Sequence, residues 1–352
     1  MSGLAKNIKN ISFSQLLLLI GVFWLVVQVS LIQEYGIVTS REAVKYFDEC
    51  HQLIQTGHFS DKKYLFYAVY ILLHVVFYIL GFETVGVFLF QLFLNLLATC
   101  LFFKLTYNIT GKKPTAFIAV MLLLLTQTFQ MWTVYLYTES VFSSLFIIFS
   151  YYLLGVKIQN NKNRILAGGL FLLLIFARPT GLLLIPVLFL YYFFLLIQGK
   201  EYLKAFFFSG FVAISFIPIL NYAMQSSTTF NFVKPFLERQ VICDVPETVY
   251  TIPSHTTSNT LSGIFDFIVH NKTQFIQLAT HRFVSFWGLQ RTFNSRSHNL
   301  YLGCFFYPIY LMGLIGLIKL FKQCIGVFIF IVSVLFFFTL SVELTSPIGD
   351  EF

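Results

Sequence analysis

Ionisable side chains stand at the ends of long apolar segments in three places. Glu42 follows the first apolar segment, Glu139 lies in Tyr137-Thr138-Glu139-Ser140, and Arg178 lies in Ala177-Arg178-Pro179-Thr180-Gly181. Charged groups at a membrane boundary are costly, which makes them candidates for function. A guanidinium binds phosphate through two hydrogen bonds, and a carboxylate can take a proton from a hydroxyl. These residue types favour an enzyme that holds a phosphate and activates a hydroxyl.

Further charged residues flank the first of these positions. Asp48 and Glu49 are alternative carboxylates to Glu42. Arg41, Lys62 and Lys63 could add positive charge beside a phosphate. Lysine supplies a point charge, whereas arginine supplies a planar fork.

The composition excludes a water-soluble fold. Of 352 residues, 57% are hydrophobic and only 11% are charged, with 45 Phe, whereas a soluble domain carries about 25% charged residues. A soluble enzyme, a disordered chain, a coiled coil and a disulfide-stapled secreted domain are therefore excluded. The chain is predicted to be an all-α integral membrane protein with a single polytopic membrane domain, 1–352.

About nine segments are predicted to cross the membrane, because each is long and apolar enough to approach the roughly 20 residues required. Two loops on one side, 34–84 and 223–299, are long. Within the second, Ser262–Trp287 has apolar residues at helical spacing and is predicted to form one or two interfacial helices. The predicted spans are Phe13–Ile32, Val85–Phe103, Ala116–Tyr135, Val141–Leu154, Ile165–Phe176, Leu182–Ile197, Ala205–Tyr222, Leu300–Ile318 and Ile325–Leu340. Asn95, inside the second span, is expected to form an interhelical hydrogen bond.

The net charge of +8 has a topological explanation. Twelve Lys and Arg residues but a single acid, Glu201, fall in the loops of one side, which the positive-inside rule makes cytoplasmic. The N-terminus is then cytoplasmic, and no nucleic-acid partner is expected. Tyr64–Phe82 is apolar enough to span, but counting it would invert every later loop. We expect it to lie in the outer interface as a juxtamembrane helix, where its aromatic residues suit the boundary.

Several of these features resemble the GT-C class of membrane glycosyltransferases. The likeness is to the branch with protein O-mannosyltransferases, lipid A aminoarabinose transferases and RgtA/B/C/D-like enzymes. Glu42, Tyr46, Cys50 and Leu53 match the spacing of that family's first outer loop, and Leu80-Gly81-Phe82 loosely matches the end of its juxtamembrane helix. Glu139 and the Arg178 motif match in order. The acid is often Asp in the family, and the family's Pro-rich segment is replaced by Asp61-Lys62-Lys63-Tyr64.

The resemblance implies transfer of a sugar from a polyprenyl-phosphate donor to a hydroxyl of a lipid, glycan or protein acceptor, with inversion. Glu42 would be the general base, with Asp48 or Glu49 as alternatives. Arg178, with Lys62, Lys63 and Arg41, would bind the donor phosphate, and Glu139 would orient the acceptor or Arg178. No cofactor is implied, although a divalent metal between Glu42 and Glu139 stays an alternative. The implied location is a bacterial inner membrane, with a periplasmic active site among membrane lipids.

Other interpretations remain open. An O-antigen polymerase or ligase would also have a long outer loop before its last spans. A flippase for lipid-linked saccharides, or another transporter, would be expected to show paired halves with broken helices, and no repeat is evident. Glu42 could be a solvated partner of Arg41 and Lys45, Glu139 a helix N-terminal acid, and Arg178 an interfacial anchor.

Overall fold

The computed structural model describes residues 11–155, 161–226, 240–242, 245–246, 258–290 and 294–344. The chain divides into two compact units, Met1–Leu182 and Leu183–Phe352, which are described separately. Within the described residues the fold is helical apart from one short two-stranded sheet. It is therefore an all-α membrane-type protein, whereas a single membrane domain over 1–352 stays a prediction.

The described part of the first unit contains eight α-helices, two 3₁₀ segments and one π-helical turn. Ser12 begins the first helix with a capping box, since its side chain accepts from the Gln15 amide and Gln15 caps in return. The α-helices are α1 Phe13–Tyr35, α2 Glu42–Thr56, α3 Ala68–Ile79, α4 Glu83–Thr110, α5 Lys113–Leu125, α6 Gln127–Met131, α7 Thr138–Ser150 and α8 Asn161–Ala177. The 3₁₀ segments are Lys62–Tyr67 and Pro179–Leu183, and the π-helical turn is Tyr151–Gly155.

Eight helical segments among the described residues are long and apolar enough to cross a membrane. Seven of the nine predicted spans each overlap one of them. Lys62–Ile79 is the eighth by length and composition. The eight are Phe13–Tyr35, Lys62–Ile79, Glu83–Thr110, Thr138–Gly155, Pro179–Gln198, Tyr202–Tyr222, Arg296–Gln323 and Ile325–Val342.

The predicted span Ala116–Tyr135 is wrong as a single helix. Helix α5 ends at Leu125 because Thr126 turns to an extended conformation with ψ 92°. Polar residues replace the apolar run there, and Gln130 is fully buried against a neighbouring helix rather than facing lipid. The predicted span Ile165–Phe176 lies in α8, whose 17 residues fall short of the usual spanning length.

Helices α1 and α4 are antiparallel, which defines two ends of the first unit. The ring of Phe13, at the start of α1, lies 4.9 Å from that of Phe103, near the end of α4. Trp24 Nε1 donates to Asn95 Oδ1 at 2.7 Å, farther along both helices. This bond confirms the expected interhelical role of Asn95. The segment 36–82 therefore leaves α1 and enters α4 at the same end, which we call the site end.

Buried side-chain amides form hydrogen bonds between neighbouring helices near the site end. Gln28 Nε2 donates to Gln130 Oε1 at 2.9 Å, and Thr133 Oγ1 donates to Gln28. Gln91 accepts from the Tyr70 hydroxyl at 2.7 Å and donates to the Tyr135 carbonyl at 3.1 Å. Polar groups surrounded by apolar side chains are stable only when they are paired, so these bonds determine how the helices meet.

Helix α3 packs against the beginning of α4. Phe77 fills the space beside Gly86, and its ring lies 6.2 Å from that of Phe90. Seven residues earlier on α3, the Tyr70 hydroxyl donates to Gln91 at 2.7 Å. The segment therefore lies beside the first turns of α4, at the site end.

The described part of the second unit contains six α-helices and the two-stranded sheet. Ser262–Trp287, predicted to form one or two helices, forms two, and the parts of the predicted loop 223–299 at 227–239 and 247–257 lie outside the described residues. The ring of Tyr191 lies 6.0 Å from that of Phe330. The elements are α9 Leu184–Gln198, α10 Tyr202–Ser226, β1 Gln240–Ile242, β2 Val245–Pro246, α11 Leu261–His270, α12 Lys272–Gly288, α13 Arg296–Gln323 and α14 Ile325–Leu344.

Candidate functional site

The start of α2 is held beside the start of α7. Val38 donates to the Val134 carbonyl at 2.9 Å and accepts from the Leu136 amide at 3.1 Å, as in a short parallel bridge. The Tyr137 hydroxyl donates to the Ser40 carbonyl at 3.2 Å. These bonds place the first turns of two helices, and their acidic residues, at the site end.

The turn that begins α2 is strained. Arg41 adopts φ 55° and ψ −118°, a region that non-glycine residues rarely occupy. Residues held in such conformations cost of order 1–3 kcal/mol and are common at functional sites. The strained turn sets the direction of α2, and thereby the position of Glu42.

Glu139 and Arg178 form an ion pair at the site end. Arg178 Nη1 lies 2.8 Å from Glu139 Oε1, with 34% and 14% of the two side chains exposed. Glu139 lies in the first turn of α7, where the helix dipole favours a negative charge. Thr138 Oγ1 is 3.3 Å from the other Glu139 oxygen. The pair therefore joins the beginning of α7 to the end of α8.

The Pro and Gly after Arg178 end its helix, as the sequence predicted. Helix α8 stops at Ala177, and the Gly181 amide donates to the Arg178 carbonyl at 2.8 Å. A Cβ on Gly181 would lie 2.0 Å from the Leu174 carbonyl oxygen, so only glycine lets the chain fold back over the last turn. This reversal leaves the Arg178 side chain at the helix end, directed at Glu139.

Tyr46, on α2, packs against Tyr67, the last residue of the 3₁₀ segment Lys62–Tyr67. The Tyr46 ring is fully buried and lies 5.7 Å from the Tyr67 ring. Lys45, which pairs with Glu42, places its Nζ 5.0 Å from the centre of Tyr46 and 5.3 Å from that of Tyr67. We call Glu42, Tyr46, Tyr67, Glu139 and Arg178 the acid–arginine cluster.

The charges of the cluster act on one another. Burial lowers the pKa of Arg178, but the negative charge of the Glu139 carboxylate, with a smaller effect from Glu42, outweighs it, so that the pKa is raised. Burial raises the pKa of Tyr46, and the negative charges of Glu42 and Glu139 raise it further. Arg178 is thus a permanent cation, and Tyr46 a permanent neutral phenol, at any physiological pH.

The Tyr46 hydroxyl is buried without a well-formed hydrogen bond among the described residues. The Thr138 side chain approaches it and slightly favours its ionised form, but outside good hydrogen-bond geometry. A buried hydroxyl left in this way is costly.

The other predicted site residues lie apart from these contacts. Asp48 is exposed on α2, and the Arg41 and Lys62 side chains are also exposed. Lys63 Nζ lies 3.9 Å from Asp61 and 5.1 Å from the centre of the Tyr64 ring, so its contacts are local. The expected help of Lys62 and Lys63 to Arg178 in binding a phosphate stays a prediction.

Glu49, the other alternative base, has a structural position. It is 3% exposed and accepts from the Ser60 amide at 2.7 Å and from the Ser60 hydroxyl. Both carboxylate oxygens are therefore occupied in closing the loop between α2 and the 3₁₀ segment.

Sequence reasoning singled out Glu42, Glu139 and Arg178 but missed Tyr67 as part of the site. Tyr67 was one aromatic residue of an interfacial set, with nothing to set it apart from its neighbours. Lys45 was expected as a local partner of Glu42, and the ion pair between them confirms this. The two residues are three apart, a helical spacing at which ion pairs form.

No metal centre is evident where the structure describes the chain. Within those residues no three His, Cys, Asp or Glu side chains are grouped so that they could hold a metal ion. The Glu139 carboxylate has Arg178 as its cationic partner.

In comparisons with known proteins, the chain matches no family model, no curated protein and no solved structure.

Proposed function

We propose that the protein is a membrane glycosyltransferase that moves a sugar from a polyprenyl-phosphate donor to a hydroxyl of a lipid, glycan or protein acceptor. The observation that carries the proposal is the acid–arginine cluster, in which one guanidinium pairs with the Glu139 carboxylate and also feels the charge of Glu42. A phosphate needs the cation, and a hydroxyl nucleophile needs a base.

The proposed reaction is a displacement with inversion. The acceptor oxygen bonds to the anomeric carbon as the bond from that carbon to the phosphate oxygen breaks. The acceptor proton passes to Glu42, and the leaving lipid phosphate carries away the electron pair. Arg178 stabilises the charge that grows on the leaving oxygen, which is where a preorganised cation contributes most. Glu139 holds the guanidinium in position.

Glu42 is the preferred base for a structural reason. It acts electrostatically on both Arg178 and Tyr46, whereas Glu49 is used by Ser60 and Asp48 is exposed. Tyr46 would donate its unsatisfied hydroxyl to the donor phosphate or to the sugar.

We further propose that the site end faces the outside of the cell, in a bacterial inner membrane with a cytoplasmic N-terminus. The basic loops support this orientation by the positive-inside rule. In this arrangement Lys62–Ile79 lies along the outer face. The antiparallel arrangement of α1 and α4 supports that placement, since both ends of the segment 36–82 are at one end of the unit.

The test is transfer of radiolabelled sugar from a panel of polyprenyl-phosphate sugars by the full chain in native membranes, compared with Glu139→Gln. The proposal predicts transfer from one donor that depends on Glu139. Polymerisation of a lipid-linked oligosaccharide in place of single-sugar transfer would favour the polymerase or ligase interpretation. Movement of the donor across the bilayer without any transfer would favour a transporter.

A further inference from the structure

A cavity at the site end is lined by residues of α2, of α3 and of the start of α4. Its volume is about 540 Å³, within the range of small-molecule sites. Buried Cys50 and His74 form its floor, and exposed His51 and Glu83 stand at its rim. The full lining is Thr39, Phe47, Cys50, His51, His74, Tyr78, Glu83 and Thr84.

His74 is the unusual residue of this cavity. Its side chain is 3% exposed, and its ring packs edge-on against Phe47 and Tyr70, with both ring centres at 4.8 Å. Nε2 is buried and has no hydrogen-bond partner among the described residues. A polar atom buried without a partner is costly. A ligand that hydrogen-bonds to Nε2 would remove that cost and be bound more tightly for it.

The lining determines the chemical class of that ligand. No lysine or arginine lines the cavity, so it offers nothing to neutralise a phosphate or a carboxylate. The lining offers both hydrogen-bond donors and acceptors. They are two imidazoles, the Tyr78 phenol and two threonine hydroxyls. Phe47 and Tyr78 add aromatic surface, and the His51 ring meets Tyr78 edge-on at 5.1 Å. This mixture suits an uncharged ring that carries several hydroxyls.

We propose that this cavity binds a neutral saccharide unit, with His74 Nε2 as its buried hydrogen-bonding contact. In the context of the proposed function, on which this assignment of a role rests, the saccharide is part of the acceptor. Its ring sits against α2 beside Phe47 and Tyr78, while the acid–arginine cluster holds the donor. The binding itself requires neither donor nor turnover.

The test is saturation-transfer difference NMR on the full chain in phosphatidylcholine nanodiscs, because maltoside and glucoside detergents would compete. The probes are methyl α-glucoside, methyl α-galactoside, methyl α-mannoside, cellobiose and lactose, with glucuronate as the anionic arm. We expect at least one neutral probe to bind. His74→Phe should weaken that binding at least about tenfold, the equivalent of one hydrogen bond of about 1.4 kcal/mol.

Two further variants keep the test decisive. His51→Ala changes an exposed rim residue, so it should weaken binding without affecting folding. His58→Phe is the matched control, since His58 is exposed and bonded to Thr56 outside the cavity, and it should bind as wild type. The proposal is overturned if no neutral probe binds, if glucuronate binds equally well, or if both His74→Phe and His51→Ala bind normally.

The two proposals can fail separately. Saccharide binding that depends on His74, in a protein that transfers no sugar from any donor, would support the cavity assignment and count against the transferase. Sugar transfer by a protein that binds none of the neutral probes would do the reverse.

Discussion

Arg178 Nη1 lies 2.8 Å from Glu139 Oε1, and this pair joins the end of one helix to the beginning of another. Most of the Glu139 side chain is shielded from solvent, and about a third of Arg178 is exposed. Glu139 therefore occupies part of the guanidinium, while about a third of the Arg178 side chain stays accessible. A second anion, such as a lipid phosphate, could meet Arg178 there without displacing Glu139.

Replacing Arg178 tests whether its charge or its planar fork matters. We expect Arg178→Ala to lower kcat/KM for sugar transfer by ~10²–10³-fold, the usual cost of removing a group that stabilises developing charge. Arg178→Lys should recover part of this loss, because lysine keeps the charge but not the bidentate geometry. The assay is transfer from the polyprenyl-phosphate donor at subsaturating concentration. Arg164→Ala, at the other end of α8, should transfer as wild type.

Glu42 should be the most sensitive carboxylate. We expect Glu42→Gln to reduce kcat by ~10²–10⁴-fold, the contribution of a general base, while protein abundance and thermal unfolding stay unchanged. The measurement is single-turnover transfer with the donor bound in advance. Glu34→Gln, an exposed acid at the end of α1, is the control. If Asp48→Asn abolishes transfer and Glu42→Gln does not, the base is Asp48.

Glu49 should matter for structure rather than for chemistry. Glu49→Ala removes both bonds to Ser60, and a typical intramolecular hydrogen bond contributes ~1 kcal/mol. Local opening should expose the chain at Lys62 and Lys63, so the measurement is the rate of trypsin cleavage there. Cleavage should accelerate in Glu49→Ala and stay at the wild-type rate in Asp48→Ala. Equal rates in the two variants would contradict the structural role.

The bond between Trp24 and Asn95 can be measured by a double-mutant cycle. Asn95→Leu strands the Trp24 Nε1 donor among apolar side chains, and Trp24→Phe strands the Asn95 amide. The losses of stability in the two single variants should sum to more than the loss in the double variant. We expect a coupling energy of ~0.5–2 kcal/mol, in the range of interhelical bonds within membranes, from reversible unfolding in mixed micelles. Strict additivity would show that the bond contributes nothing.

Cys50 should react slowly with alkylating reagents at neutral pH. Burial raises the pKa of its thiol to about 11, so the reactive thiolate is scarce. Alkylation should rise roughly tenfold per pH unit from pH 8 and level off near pH 11. The measurement is iodoacetamide labelling followed by mass spectrometry, in a chain whose other cysteines, Cys100, Cys243, Cys304 and Cys324, are replaced by serine.

The same shift affects stability. The folded chain holds the Cys50 thiol proton more tightly than the unfolded chain does. The resulting contribution to the free energy of unfolding is complete below the thiol pKa of the unfolded chain, near 9. It is lost as the pH rises through the pKa of the folded chain, about 11. Cys50→Ala should remove this part of the alkaline destabilisation. A labelling rate that is already maximal at pH 8 would contradict the shifted pKa.

The sequence by itself determined the class of protein and most of its helices. A charged fraction of 11% is too low to cover a protein surface in water. Inside a membrane the backbone N–H and C=O groups of long apolar runs have no water to bond, so these runs must form helices. Glu139 and the Arg178 motif were recognisable because charge and helix breakers stand where apolar runs end. The bond expected of Asn95 followed from the cost of an unpaired amide in such a segment.

Only the tertiary structure decided which of these residues meet. Pairing of Glu139 with Arg178 depends on how α7 and α8 pack, and the choice among Glu42, Asp48 and Glu49 depends on which face of α2 is covered. The break of α5 at Thr126 was hidden because hydropathy averages over a window, whereas Gln130 gains a specific partner in Gln28. The unpartnered nitrogen of His74 is likewise a property of contacts, since composition alone cannot say whether a buried polar atom is satisfied.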